Sequence, residues 1–311
     1  MYEIYITNEK GNLERTNEIK NGSWINIISP TQKEITDFSN LLQIPIDFLK
    51  DPLDEEERSR IEKEDDNVLI IVNIPLLSKD KESELFDTIP LGIIITKDCF
   101  ITVCLKDNPI FHIFQQNKVK QFYTFKKTRF ALQILYLTST FYLKYLKQIS
   151  KKTDRIEREL HQSMKNKELF SLLNFEKSLV YFTTSLKSNN IVLNKMLKSN
   201  YLKMFDDDQE LLEDVIIENQ QAIEMSETHS SILSGMMDAF ASVISNNVNI
   251  VMKFLTSFTI ILALPTMVAS FLGMNVLIPY QDHPYAFLGA IIISVILSTI
   301  TAIIFWKKRF F

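Results

Sequence analysis

Two runs near the C-terminal end, Phe254–Leu272 and Tyr285–Trp306, constrain this chain more than any other feature, because neither contains a charged residue. Each matches the ~20 apolar residues that a helix needs to cross a hydrocarbon core at about 1.5 Å per residue. Burying two such helices in a water-soluble core would need a large apolar shell, which the charged, mixed sequence before Lys253 does not supply. The pair therefore reads as two membrane spans. Lys253 precedes the first, Lys307, Lys308 and Arg309 follow the second, and the connecting residues 273–284 contain no Lys or Arg. By the positive-inside rule both chain ends face the cytoplasm and the short loop faces out, in a multi-pass plasma-membrane protein. Tyr285 and Trp306 then fall at opposite interfaces, and the opening MYEIYITNEK lacks the pattern of a signal peptide.

The preceding sequence divides in two. Residues 1–115 alternate like short strands at Tyr2–Thr7, Ser23–Ile28, Asn67–Leu77, Thr88–Thr96 and Cys99–Cys104, with helical patterns at Thr31–Leu42 and Ile46–Leu53. This is the pattern of a small α+β domain with a sheet and helices, in which Cys99 and Cys104 are reduced core residues. Asp107-Asn108-Pro109 breaks the pattern after the last strand. Beyond Phe111 no Pro occurs before Pro265 and the only Gly is Gly235, so residues 116–253 read as helix throughout. Polar breaks near Met164–Lys167 and Lys198–Asp208 divide them into long stalk helices. The last begins at Asp206-Asp207-Asp208, where acidic side chains suit the positive end of the helix dipole. Running on into the first span, it would reach roughly 100 Å, a length that implies an oligomeric bundle. The expected order is thus domain 1–115, stalk 116–253, span 254–272, loop 273–284, span 285–306 and basic tail 307–311.

Gly273-Met274-Asn275 at the outer end of the first span resembles the signature of the CorA superfamily of Mg²⁺ and Co²⁺ transporters. The segment MMDAFASVISNNVNIVMKFLT, from Met236 to Thr256, resembles that family's inner pore segment and leads without a gap to the Gly-Met-Asn. Trp24-Ile25-Asn26 and the stretch Phe48–Glu62 resemble parts of its cytoplasmic domain, in the same order. The resemblance implies a homopentameric funnel with a central pore lined by the first span and the second span facing lipid. The loop departs from the family's usual aromatic followed by Met-Pro-Glu-Leu, reading VLIPYQDHP, with Asp282 as its one acidic residue. Pro265 resembles the family's mid-span proline displaced by one position.

Mg²⁺ sheds water reluctantly, so a pore should hold the hydrated ion weakly. Five copies of Asn275 would offer side-chain carbonyl oxygens to that shell, and Gly273, lacking Cβ, would let the backbone turn and expose its carbonyl. Asn249, Met252, Thr259, Ala263, Thr266 and Ser270 recur at intervals of three, four or seven, which places them on one stripe as the candidate pore wall. Such Ser and Thr side chains also commonly bond to the carbonyl four residues back or join helices. Met252 with Leu255 would form a hydrophobic constriction, as the resemblance suggests, and Lys253, Lys307, Lys308 and Arg309 a basic collar.

The resemblance further places a regulatory cation between subunits at Asp51, in LKDPL, and Asp214, in LLEDV. Facing carboxylates repel unless a cation neutralises them, so cytoplasmic Mg²⁺ would close the assembly. The acidic runs around these residues read equally as solvated helix faces. Mg²⁺, with Co²⁺ and Ni²⁺, is the expected cargo, with no organic cofactor. Alternatives are a Zn²⁺ transporter of the same superfamily, which keeps Gly-Met-Asn and changes the loop, and a non-conducting membrane-anchored sensor or scaffold. A net charge of -4 offers no global attraction for nucleic acid, and no nucleophile, base and oxyanion constellation suggests an enzyme.

Overall fold

The computed structural model describes residues 1–8, 11–79, 84–162, 166–199, 201–274, 284–308 and 310. It separates into two compact units, Met1–Ser234 and Gly235–Phe311.

The first unit is built on a seven-stranded sheet in the order β2-β1-β3-β7-β6-β5-β4. The strands are β1 Tyr2–Thr7, β2 Leu13–Thr16, β3 Trp24–Ile28, β4 Arg60–Glu64, β5 Asn67–Lys79, β6 Glu84–Ile95 and β7 Phe100–Cys104. All neighbours are antiparallel except β3 and β7, which run parallel with Trp24 opposite Phe100. Two strands exceed the sequence reading. The outer strands β2 (LERT) and β4 (RIEKE) carry no apolar alternation, because an edge strand has little to bury and benefits from charge.

Helices cover both faces of the sheet, so its central strands are continuous apolar runs instead of alternating ones. On one face lie α1 (Gln32–Leu42), α2 (Ile46–Lys50) and a single 3-10 turn, Asp51–Leu53. Thr31 caps α1 in a reciprocal capping box with Glu34, which satisfies two otherwise orphan amides. Ile35, Phe38, Phe48 and Leu49 pack here against Ile25 and Ile27 of β3 and Ile101 and Val103 of β7. One residue along each strand, the side chains turn to the other face. There Trp24 stacks on Tyr5 and meets Phe130 edge-on at 5.1 Å, and Phe100 stacks on Phe130 at 4.1 Å. The fully buried Trp24 indole donates to Thr102 Oγ1 at 2.9 Å, and that hydroxyl donates to Asn26 Oδ1 at 2.8 Å. The Trp-Ile-Asn triplet thus supplies one side chain to one face and two to the other.

The second face is covered by α3 (Pro109–Gln115), α4 (Lys127–Gln162) and α5 (Asn166–Lys198). Asn189 of α5 clamps β5, accepting from the Asn73 amide at 2.9 Å and donating to its carbonyl at 2.8 Å. This replaces ladder bonds where the residue opposite Asn73 is Pro90, which has no amide hydrogen. The expectation of helix throughout beyond Phe111 is corrected between α3 and α4. Asn117 and Gln121 take positive φ there, the Asn117 side chain accepts from the Leu13 amide at 2.8 Å, and Thr124 pairs with Thr7 at 3.1 Å. Tertiary hydrogen bonds to the β1–β2 hairpin override a segment whose lack of Pro and Gly suggested helix.

One helix, α6 (Asp206–Leu272), runs through the division between the units, and α7 (Ala286–Lys307) completes the second unit. Within the first unit α6 packs on α5: Thr183 and Ser226 hydroxyls meet at 2.8 Å, and Asn219 donates to the Leu186 carbonyl at 3.1 Å. Its start is fixed by Asp208, which is 5% exposed, accepts from the Phe205 amide and pairs with Arg129 at 3.3 Å.

Candidate functional site

The second unit holds the residues singled out as a pore wall. Of the positions between Asn249 and Leu272, all are exposed except Ser257, which is buried, and Ile261, Leu264, Pro265 and Val268, which are half-buried. At about 100° per residue these fall on one stripe. Asn249, Met252, Leu255, Thr259, Ala263, Thr266 and Ser270 are all exposed, and the centre of their stripe lies about 180° around the helix from the shielded one. Thr259, Ala263, Thr266 and Ser270 line a single groove of about 570 Å³ together with Leu262, Met267 and Phe271. The Thr259 and Thr266 hydroxyls bond back to the carbonyls of Leu255 (2.8 Å) and Leu262 (3.3 Å), which leaves their methyl groups and oxygen lone pairs on the groove surface.

On α7 the half-buried positions are Gly289, Ala290, Ser294, Ser298, Thr301, Ala302 and Phe305. Small side chains of this kind let two helices approach closely in a membrane. Ser298 Oγ donates to the Ile261 carbonyl at 3.4 Å, joining the shielded stripe of α6 to that of α7. The candidate pore wall is therefore the face of α6 turned away from α7.

At the end of α6 the Gly273 amide donates to Ala269 O at 2.9 Å and the Met274 amide to Phe271 O at 3.4 Å. The sequence reading gave Gly273, for its lack of a Cβ, the task of letting the backbone turn and expose its carbonyl. Its φ is not in the left-handed region, which among the glycines is taken by Gly11 and Gly22. A Cβ there would stand 3.2 Å from the Ala269 carbonyl oxygen, a tight contact. Met274 is half exposed, while Asn275 and Asp282 lie outside the described residues. Of the basic collar, Lys253, Lys307 and Lys308 are exposed, and Arg309 also lies outside the described residues.

The two carboxylates expected to sense a cation sit on different elements of the first unit. Asp51 begins the 3-10 turn, and Pro52 of that turn presses on β6 at Gly92, where a Cβ would overlap the Pro52 ring. Asp51 Oδ2 accepts from Arg60 Nη2 at 2.5 Å, while the same guanidinium pairs through Nη1 with Glu57 and through Nε with Glu62 at 2.8 Å. Burial opposes the charged guanidinium, but Glu62, Glu57 and Asp51 outweigh it and raise the Arg60 pKa. Sequence reasoning missed this pairing, since the Arg-x-Glu stretch gives no sign of which carboxylate a side chain nine residues on will reach. Asp214 is exposed on α6. Among the described residues, no group of three or more His, Cys, Asp or Glu side chains is placed to hold a metal within one chain. Asp51 and Asp214 each offer hard oxygen donors suited to Mg²⁺, and both are open enough to meet a ligand from outside the chain.

The chain matches the family model of the CorA-like Mg²⁺ transporter protein over residues 20–309. It is 30% identical over 296 residues to the cobalt/magnesium transport protein CorA of Methanocaldococcus jannaschii, covering 92% of this chain and 90% of that protein. It is 24% identical over 296 residues to the magnesium transport protein CorA of Helicobacter pylori, covering 92% of this chain and 89% of that one. The complete structure of the Methanocaldococcus jannaschii CorA magnesium transporter superposes with a TM-score of 0.85 at 25% identity, covering 99% of this chain and 98% of that one.

Proposed function

The chain belongs to the family of CorA-like Mg²⁺ transporter proteins, and from that premise we propose that it is a divalent-cation channel with Mg²⁺ as its principal cargo and Co²⁺ and Ni²⁺ as others. The observation that carries the reading is the placement of Asn249, Thr259, Ala263, Thr266 and Ser270 on the face of α6 opposite the one shielded against α7. Copies arranged around an axis with α7 outward turn that face to the centre, as a homopentamer with both chain ends in the cytoplasm would. Hydroxyl and amide oxygens on the wall attract a hydrated cation without stripping it. Met252 and Leu255 form the narrow apolar passage, and Asn275 supplies a ring of carbonyl oxygens at the outer mouth.

Transport needs no nucleotide, because two charges falling through 100 mV release about 4.6 kcal/mol. Closure is assigned to Asp51 and Asp214 of neighbouring copies. A divalent cation bound there neutralises carboxylates that otherwise repel and push the copies apart. Arg60 holds Asp51 in place, and Glu57 and Glu62 keep that guanidinium paired when Asp51 turns to a cation.

The test is flux into proteoliposomes with Mg²⁺, Co²⁺, Ni²⁺ and Zn²⁺ supplied singly and in competition, comparing the native chain with Asn275→Ala. Mg²⁺ entry is expected to exceed Zn²⁺ entry and to fall at least tenfold in the variant. Undiminished entry removes Asn275 from the filter, and entry of Zn²⁺ in preference to Mg²⁺ reverses the choice of cargo.

A further inference from the structure

Pro265 lies inside α6 and has no amide hydrogen, so the carbonyl four residues earlier, that of Ile261, loses its helical donor. In hydrocarbon, where no water replaces the missing partner, such a carbonyl must be satisfied from elsewhere. The Ser298 hydroxyl of α7 donates to this carbonyl at 3.4 Å, longer than the usual O–H···O range of about 2.5–3.0 Å and so a weak bond. A serine or threonine in a helix ordinarily bonds back to its own chain. Ser257, Thr259, Thr266, Ser294 and Thr299 all do so, each to the carbonyl four residues before it. Ser298 reaches across to the other helix, at the one carbonyl that the proline strands.

We propose that Ser298 is a positioning residue for ion passage, replacing the hydrogen bond that Pro265 removes and so pinning the second span to the pore span at its proline. Pro265 stands between Ala263 and Thr266, dividing the candidate wall into an inner part with Thr259 and Ala263 and an outer part with Thr266 and Ser270. A helix bends most readily at a proline. Any bend there reorients the Ile261 carbonyl, so the bond from Ser298 sets the angle between the two parts of the wall. The consequence for passage rests on the pore reading above, whereas the bond itself does not.

The experiment is a double-mutant cycle. Ser298→Ala removes the hydroxyl at nearly constant volume, and Pro265→Ala returns an amide hydrogen to Ile261. The four proteins are compared for Mg²⁺ entry into proteoliposomes and for thermal unfolding in detergent, with Ser298→Thr as the conservative variant. Ser298→Ala is expected to lower Mg²⁺ entry about threefold, the size of an average interhelical hydrogen bond in a membrane protein, and to lower the unfolding midpoint. Ser298→Thr is expected to keep both, and Ser298→Ala to change neither once Pro265 is gone. Equal losses with and without Pro265 mean that Ser298 only packs, and overturn the proposal. No change in either readout in the presence of Pro265 overturns it too. Should Pro265→Ala not accumulate, Pro265→Gly restores the same amide. If the native chain moves no Mg²⁺ the channel reading fails, while the unfolding cycle still decides the bond.

Discussion

Cys104 shows what burial on both faces of the sheet does to a single side chain. It lies at the end of β7 with no exposure, its thiol donating to the Pro90 carbonyl at 3.4 Å. Burial pushes its pKa from 9.0 up to about 11. The folded thiol therefore keeps its proton where the unfolded one loses it. Its contribution to stability is complete below pH 9 and is lost as pH rises towards about 11. Unfolding midpoints measured at pH 8 and pH 10.5 should fall less in Cys104→Ala than in the native chain, and an identical fall in both would remove the effect. The buried, reduced state of both cysteines was legible from their place in an apolar run. The φ of Gly273 was not, because glycine takes either sign of φ about equally readily. Nor was the grip of Arg60 on Asp51, since ion pairing between a turn and a strand depends on how the two are packed.

The 3-10 turn Asp51–Leu53 is an element positioned by an absence. It lies on the sheet because Gly92 offers no side chain beneath Pro52. Gly92→Ala places a methyl group inside the Pro52 ring, and overpacking of this kind costs about 1–3 kcal/mol. A lowered unfolding midpoint by about 2–4 °C per kcal/mol is expected. Faster cleavage by a trypsin-type protease at Arg58 or Arg60 should accompany it, as the turn lifts from β6. An unchanged midpoint and cleavage rate would show that the turn is held by other means. Helix α1 was readable in advance from the helical pattern at Thr31–Leu42, and the Thr31–Glu34 capping box that starts it needs no tertiary partner. Strands β2 and β4 were not, because their charged sequences describe an edge and not a buried face. The break between α3 and α4 escaped for a third reason: its cause is a set of hydrogen bonds to residues more than 100 positions away, at Thr7 and Leu13. The two spans were the plainest of all, since a bilayer excludes charge whatever the tertiary context. The contact between Ser298 and Ile261 could be anticipated only halfway. Pro265 marks which carbonyl is stranded, but spacing does not reveal which residue of α7 comes to meet it.

For the whole molecule, the proposed cation between Asp51 and Asp214 of neighbouring copies would make cation sensitivity a property of an assembly. Asp51→Ala combined with Asp214→Ala is expected to leave current at full size but insensitive to millimolar Mg²⁺ on the cytoplasmic side. Full closure of that double variant would place the sensor elsewhere. Nearly the entire chain resembles its family in order, so this scale was the most legible: the match runs from residue 20 to 309. The outermost strands add a restriction of their own. β2 carries Glu14 and Arg15, and β4 carries Arg60, Glu62, Lys63 and Glu64, so neither flank of the sheet offers a clean template for another copy's backbone. Strand exchange and fibre growth are thereby discouraged, and any self-association would be left to helical surfaces, where partners can slide past one another without rupturing a ladder of backbone bonds.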